Sequence, residues 1–101
     1  MLIGNMKYNN MKYNNLKSTE KILKALANQR RLAIVSFLKT KSSATVGEIA
    51  EEIDLSFKAT SKHLGILRSA EILDKKQRSL QAFYFLPENP HPLAASVIKS
   101  F

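Results

Sequence analysis

A mainly α-helical domain closed by a small β-hairpin is the fold class that three consecutive stretches between Thr45 and Leu86 predict. A short acidic helix, TVGEIAEEIDL, is followed by a serine-capped basic helix, SFKATSKHLGILRSA, and then by a charged hairpin, ILDKKQRSLQAFYFL. In that order they form a helix-turn-helix with a wing, about five helices and a two-stranded ribbon in all, which presents one helix to the major groove of DNA.

The charges divide at the turn between the two helices. Glu48, Glu51, Glu52 and Asp54 give the acidic helix −4, whereas Lys58, Lys62, Arg68, Lys75, Lys76 and Arg78 against Glu71 and Asp74 leave Ser56 to Leu80 at +4. Either these are two ordinary solvated faces or, the preferred reading, one helix meets phosphate and its neighbour avoids it. The whole chain of 101 residues carries 16 Lys+Arg against 8 Asp+Glu, a net charge of +8 that favours a polyanionic partner. No run approaches the roughly 18 apolar residues of a membrane span, and the N-terminus lacks a long apolar leader. With no cysteine, disulfides and thiolate metal sites are excluded. A cytoplasmic protein without membrane contact is expected.

Residues 5–17 repeat NMKYN-NMKYN-NLK. A five-residue period turns a helical face by about 140° per repeat, so Met6, Met11 and Leu16 cannot share one buried stripe. Asparagine also competes for the backbone. Residues 1–17 are therefore read as a mobile arm, either an inert tail or one that lays Lys7, Tyr8, Lys12 and Tyr13 along DNA, and 18–101 as the ordered domain.

Ser18 is placed to cap a first helix with Ile22, Leu23, Leu26 and Ala27 on one side. Asn28 caps the second, where Leu32, Ile34, Val35, Phe37 and Leu38 supply apolar mass. Arg30 and Arg31 fall in its first turn, the unfavourable end of the dipole for cations, so either carboxylate partners among Glu48, Glu51 and Glu52, the preferred reading, or a nearby phosphate is expected. Lys39 to Ala44 reads as a polar loop. Thr45 and Glu48 have the spacing of a capping box, and Val46, Ile49, Ala50 and Ile53 form one buried face of the third helix.

After the turn at Asp54-Leu55, Ser56 caps the fourth helix. At about 100° per residue, Lys58, Ser61, Lys62, Gly65 and Arg68 fall within roughly 120° of arc. Ala59, Thr60, His63, Leu64, Ile66 and Leu67 fill most of the remainder. Gly65 costs about 1 kcal/mol against alanine, and either close approach to DNA or simple packing tolerance accounts for it. Strands follow from Ile72-Leu73 and from Leu80 to Leu86, with Gln77-Arg78-Ser79 as a tip. That tip lacks the Gly or Asn of a tight turn, so a longer, looser loop is expected. So short a ribbon must pack through Ala82, Tyr84 and Leu86 onto the helices. Beyond PENPHP, the last helix carries Leu93, Ala94, Val97, Ile98 and Phe101 on one face. Either it folds back over its own core or, the reading favoured here, it joins Ile22 and the first helix in a two-fold interface.

The run LKALANQRRLAIVSFL, VGEIAEEIDLSFKATSKHLGILRSAEIL and AFYFL, over roughly residues 20–86, resembles winged-helix repressors of the ArsR type. The resemblance implies a homodimer on a near-palindromic operator, with Ser56, Lys58, Ser61 and Lys62 facing the groove and Arg78 at the wing tip. Three departures stand out. Phe57 replaces a frequent glutamine and Ala59 a usual threonine, which removes polar base readers, although both can touch a thymine methyl. Glu71 stands where such proteins frequently have glycine, so a left-handed residue is expected there. Metal-responsive members carry paired cysteines on the third helix or Asp/His ligands on the last. Here VGEIAEEI has no sulfur, the last helix has no Asp, Glu or His, and His63 and His91 lie far apart.

The sequence thus predicts a dimeric, sequence-specific repressor of double-stranded DNA that uses no metal or cofactor and whose inducer, if it has one, is unspecified. Lys58, Lys62, Arg68, Lys75, Lys76 and Arg78 position it on phosphates, Ser56, Lys58, Ser61 and Lys62 read bases, Phe57 sits at the helix start, and His63 packs or meets phosphate. An architectural protein that coats DNA and a protein-interaction module anchored by Phe57 and Phe101 are the alternatives. An enzyme is not expected, for there is no phosphate loop, no cysteine nucleophile and no catalytic Ser/His/Asp grouping.

Overall fold

The computed structural model describes residues 15–101. The elements are α1 (Leu16–Leu26), α2 (Gln29–Lys41), β1 (Ser43–Ala44), α3 (Val46–Ile53), α4 (Phe57–Ser69), β2 (Asp74–Arg78), β3 (Gln81–Phe85) and α5 (Pro92–Lys99). The NMKYN repeats up to Asn14 lie outside the described residues, and so does the question of an arm.

Helix α1 starts at Leu16, two residues before the expected Ser18. Asn15 precedes it without a side-chain cap, and Ser18 instead donates from the first turn to the Asn15 carbonyl at 3.3 Å. The other caps form as the sequence predicts. Asn28 Oδ1 accepts from the Arg31 amide at 3.1 Å, and Ser56 Oγ from the Ala59 amide at 3.1 Å. Thr45 and Glu48 close both halves of their capping box, at 3.2 and 2.9 Å.

Helices α3 and α4 end alike. Leu55 N donates to Ala50 O and Asp54 N to Glu51 O; Ile72 N donates to Leu67 O and Glu71 N to Arg68 O. This double closure needs a left-handed residue just past the helix, and Asp54 and Glu71 take it at φ 55° and 60°. It also seats Ile72 beside Leu67, both buried.

Ile34, Val35 and Leu38 of α2, Ile49 of α3, Leu64 and Leu67 of α4, and Ile72 and Leu73 form the fully buried centre. Burying each such side chain is worth about 1.5–3 kcal/mol. Lys39 Nζ donates to the carbonyls of Ile98 at 3.0 Å and Phe101 at 3.3 Å, which ties down the end of α5 with a cation at its negative pole.

The sheet is antiparallel in the order β1-β3-β2. It has one strand more than expected, because Ser43 and Ala44, read as loop, pair with Phe85 and Tyr84. The wing tip also differs. Arg78 pairs directly with Gln81, so Ser79 and Leu80 alone make the turn. Ser79 has φ 57°, the sign that a type II′ hairpin turn requires at its first central residue, and serine supplies it without glycine. Strand β2 starts at Asp74, two residues after the expected Ile72, which with Leu73 is buried in the core instead.

Candidate nucleic-acid interface

Helix α4 packs on α1, α2 and α3 by one side only. Thr60, Leu64 and Leu67 have no exposed surface, while Lys58, Ser61, Lys62, Gly65 and Arg68 are all exposed along the other side. The ridge read from the helical wheel is therefore exposed to solvent along its length, with only Arg68 reaching a neighbouring element, at Asp74 of β2, among the described residues. Ser56 is exposed at its start, and Phe57, 64% exposed, packs on nothing that hides it. Ile66 departs from the wheel: it is 38% exposed at the edge of the ridge.

The wing flanks this ridge. Lys75, Lys76 and Arg78 are exposed on β2. The Lys75 ammonium lies 6.0 Å from the Tyr84 ring and the Arg78 guanidinium 5.8 Å from the Phe83 ring, contacts that orient both cations across the strand pair. Arg68 lies 3.7 Å from Asp74 in a half-exposed pair. Such a pair contributes little stability and leaves the guanidinium free to exchange partners.

One expectation about side-chain placement needs correction. Arg31 does not pair with the acidic helix. Its Nε donates to the Ala25 carbonyl at 2.6 Å and its Nη2 to the Lys24 carbonyl at 3.3 Å, so it caps the C-terminal end of α1. His63, expected to pack or to meet phosphate, is half-buried on the flank of α4, with Nδ1 3.1 Å from Arg31 Nη1. Guanidinium only donates, so Nδ1 accepts and the ring is neutral. Burial foremost, then the charges of Arg31, Arg30 and Lys62, hold its pKa below the ordinary value of 6.5.

The expected dimer residues also separate. Ile22 and Ala94 are 3% and 1% exposed within their own chain, because α1 and α5 both pack onto the core, so neither is available to a partner. Leu93, Val97 and Ile98 are half-buried against that core, and Phe101 is 45% exposed. Leu23, expected beside Ile22 on the apolar side of the first helix, is instead 50% exposed, and Leu16, one heptad before it, is 49% exposed. Lys21 and Ser69, which the sequence did not single out, line the grooves beside Gly65. The seven-residue spacing of the leucines was the available signal for the first pair. His91 accepts from the Leu93 amide at 3.0 Å and caps α5. Among the described residues no three His, Asp or Glu side chains converge on a metal position, and no helix is long and apolar enough to cross a membrane.

Comparison with known proteins places this geometry. Residues 28–75 match the family model described as bacterial regulatory protein, arsR family. The chain is 37% identical over 65 residues to the transcriptional activator HlyU of Vibrio cholerae, an alignment covering 64% of this chain and 59% of that protein. The chain thus spans about three fifths of that relative's length. It is 32% identical over 65 residues to the transcriptional repressor SdpR of Bacillus subtilis, covering 64% of this chain and 71% of the repressor. The solved structure of HlyU from Vibrio cholerae superposes with a TM-score of 0.73 at 30% identity, over 89% of this chain and 92% of that one. With the five helices and three-stranded sheet of its described residues and the outward-facing fourth of those helices, the chain belongs to the ArsR family of bacterial regulatory proteins, a class of regulators and not of enzymes.

Proposed function

We propose that this protein is a sequence-specific DNA-binding transcriptional repressor that works as a cytoplasmic homodimer without a metal switch. One observation carries the reading: α4 is fully buried on one side and presents Lys58, Ser61, Lys62 and Arg68 on the other. Such a helix suits the major groove, with hydroxyls and ammoniums set to meet base edges and phosphates. Lys75, Lys76 and Arg78 on the wing extend the cationic surface beyond it. The name of the SdpR relative supports repression, although HlyU is named an activator. The chain's lack of cysteine supports a sensor other than a thiolate metal site.

A dimer places two such helices on half-sites about one helical turn apart, roughly 34 Å. If about 6–10 phosphates are neutralised per dimer, affinity falls about 10³–10⁵-fold between 50 and 200 mM salt. Selection of bound duplexes from a random library, followed by gel-shift competition, tests the reading. A palindromic consensus is the expected outcome. Equal competition by random duplex would instead make this an architectural DNA-coating protein, and indifference to DNA in sedimentation would make it a protein-interaction module. Lys62→Ala separates base reading from phosphate contact. A loss of about 1–3 kcal/mol confined to the selected site marks a base contact, and a uniform loss across sequences marks a phosphate. Repression is checked with a promoter whose start region carries the selected site: transcription should fall when the protein is supplied.

A further inference from the structure

Gly65 lies midway along the exposed ridge of α4, where a Cβ would meet nothing within 4 Å. Packing within the described chain therefore gives no reason for a glycine, which weakens a helix interior. What surrounds the bare backbone does. Two surface grooves meet at Gly65, and Lys21 of α1 and Ser69 line both. Ser61 lines one and Lys62 the other. Among the described residues, neither Lys21 nor Lys62 has a carboxylate within ion-pairing distance. The groove on the Lys62 side has no acidic residue in its lining. Lys21 is also no isolated cation, since Lys17, Lys21 and Lys24 recur at four- and three-residue spacing along one exposed strip of α1.

We propose that Gly65, Ser61, Ser69, Lys21 and Lys62 form a cradle for one phosphodiester of the DNA backbone, and that α1 thereby takes part in DNA binding through Lys21. The inference rests on the DNA-binding reading above and adds to it a contact outside the recognition helix and wing. Hydroxyl and ammonium donors around a methyl-free helix surface match a tetrahedral anion, which must approach the backbone closely to reach them all. A duplex held by Lys58 and Lys62 continues along α4 past Gly65, so its backbone is the occupant to which the ridge leads.

Gly65→Ala and Lys21→Gln test the cradle on the full chain, using a duplex selected by the wild-type protein. Alanine favours the helix, so Gly65→Ala is expected to raise the melting temperature while weakening DNA binding about tenfold, the loss of one charge-assisted contact. Lys21→Gln should leave melting unchanged and reduce the slope of log affinity against log salt by about 0.9 for each phosphate no longer neutralised, or about 1.8 per dimer. Wild-type affinity and salt slope in both variants would overturn the cradle while leaving the DNA reading intact. Wild-type protein that selects no duplex would remove the DNA reading itself. Millimolar inorganic phosphate is expected not to shift the melting temperature; a shift abolished by Lys21→Gln would reassign the site to a free anion and overturn the proposal.

Discussion

Arg31 Nη1 lies 3.1 Å from His63 Nδ1, and through this contact the junction of α1 and α2 grips the recognition helix. A proton on Nδ1 would face a cation and lose the bond. The pKa of His63 is already held low by burial and then by Arg31, Arg30 and Lys62. Below 6.5 the unfolded chain takes up this proton more readily than the native one, so stability rises with pH through that window and the His63 contribution is complete above it. Thermal unfolding from about pH 8 to about pH 5 should show the melting temperature falling on acidification, more in the wild type than in His63→Gln. Parallel pH profiles for the two proteins would sink this account.

Arg31 itself has a larger structural role than its neighbour. Its donors occupy two carbonyls at the end of α1, groups that the helix leaves without internal partners. Arg31→Met keeps the apolar stem and removes the donors, at an expected cost of about 2 kcal/mol in denaturant unfolding. Arg31→Lys should recover only part, because an ammonium cannot span the Ala25 and Lys24 carbonyls and His63 together. Full recovery by lysine would mean that charge alone matters there.

Glu71 closes α4 at φ 60°. A side chain in that conformation costs roughly 1–2 kcal/mol, and glycine gives back part of the relief through its greater freedom when unfolded. Glu71→Gly is therefore expected to stabilise the domain by about 0.5–1 kcal/mol, seen as a rise in melting temperature of several degrees. A fall would show that the Glu71 side chain makes a contribution beyond its backbone.

Thr60 is fully buried, and among the described residues its hydroxyl has no hydrogen-bond partner. Valine has nearly the same shape without the polar atom. Thr60→Val should stabilise by about 1 kcal/mol in urea unfolding and leave DNA affinity untouched, since the side chain faces away from the ridge. Destabilisation would point to a bound water at Thr60 Oγ1.

What the sequence made legible was short-range or one-sided. The caps at Asn28, Thr45 and Ser56 involve residues three apart, so spacing alone identifies them. The α4 ridge was legible because that helix packs by a single face. The acid at Glu71 was also legible as a left-handed residue, once the family's glycine was set beside it. Long-range geometry was not. Which carbonyls receive Arg31 depends on how α1 crosses α2, and the pairing of Ser43-Ala44 depends on where β3 returns. The tight tip escaped because Ser79 takes a positive φ that a glycine search does not find. The split between buried and exposed apolar residues on α1 escaped for a different reason: Ile22 and Leu23 sit in one broad apolar band, and periodicity does not divide it.

That division yields the sharpest test of the proposed dimer. Ile22 is 3% exposed and Leu23 is 50% exposed, so of these adjacent residues of α1 only Leu23 is open to a partner. Leu16 and Leu23 share a face, and with Phe101 they leave apolar surface uncovered near the ends of α1 and α5. Leu23→Glu should retain a native circular dichroism spectrum but sediment as a monomer at micromolar concentration, and it should lose the preference for paired half-sites while keeping weak binding to one. Ile22→Ala should do the reverse: it should cost about 2–5 kcal/mol of folding stability and shift assembly only as far as unfolding does. If Leu23→Glu stays dimeric, the two-fold contact lies elsewhere on the molecule, and the exposed face of α1 must answer to a different partner.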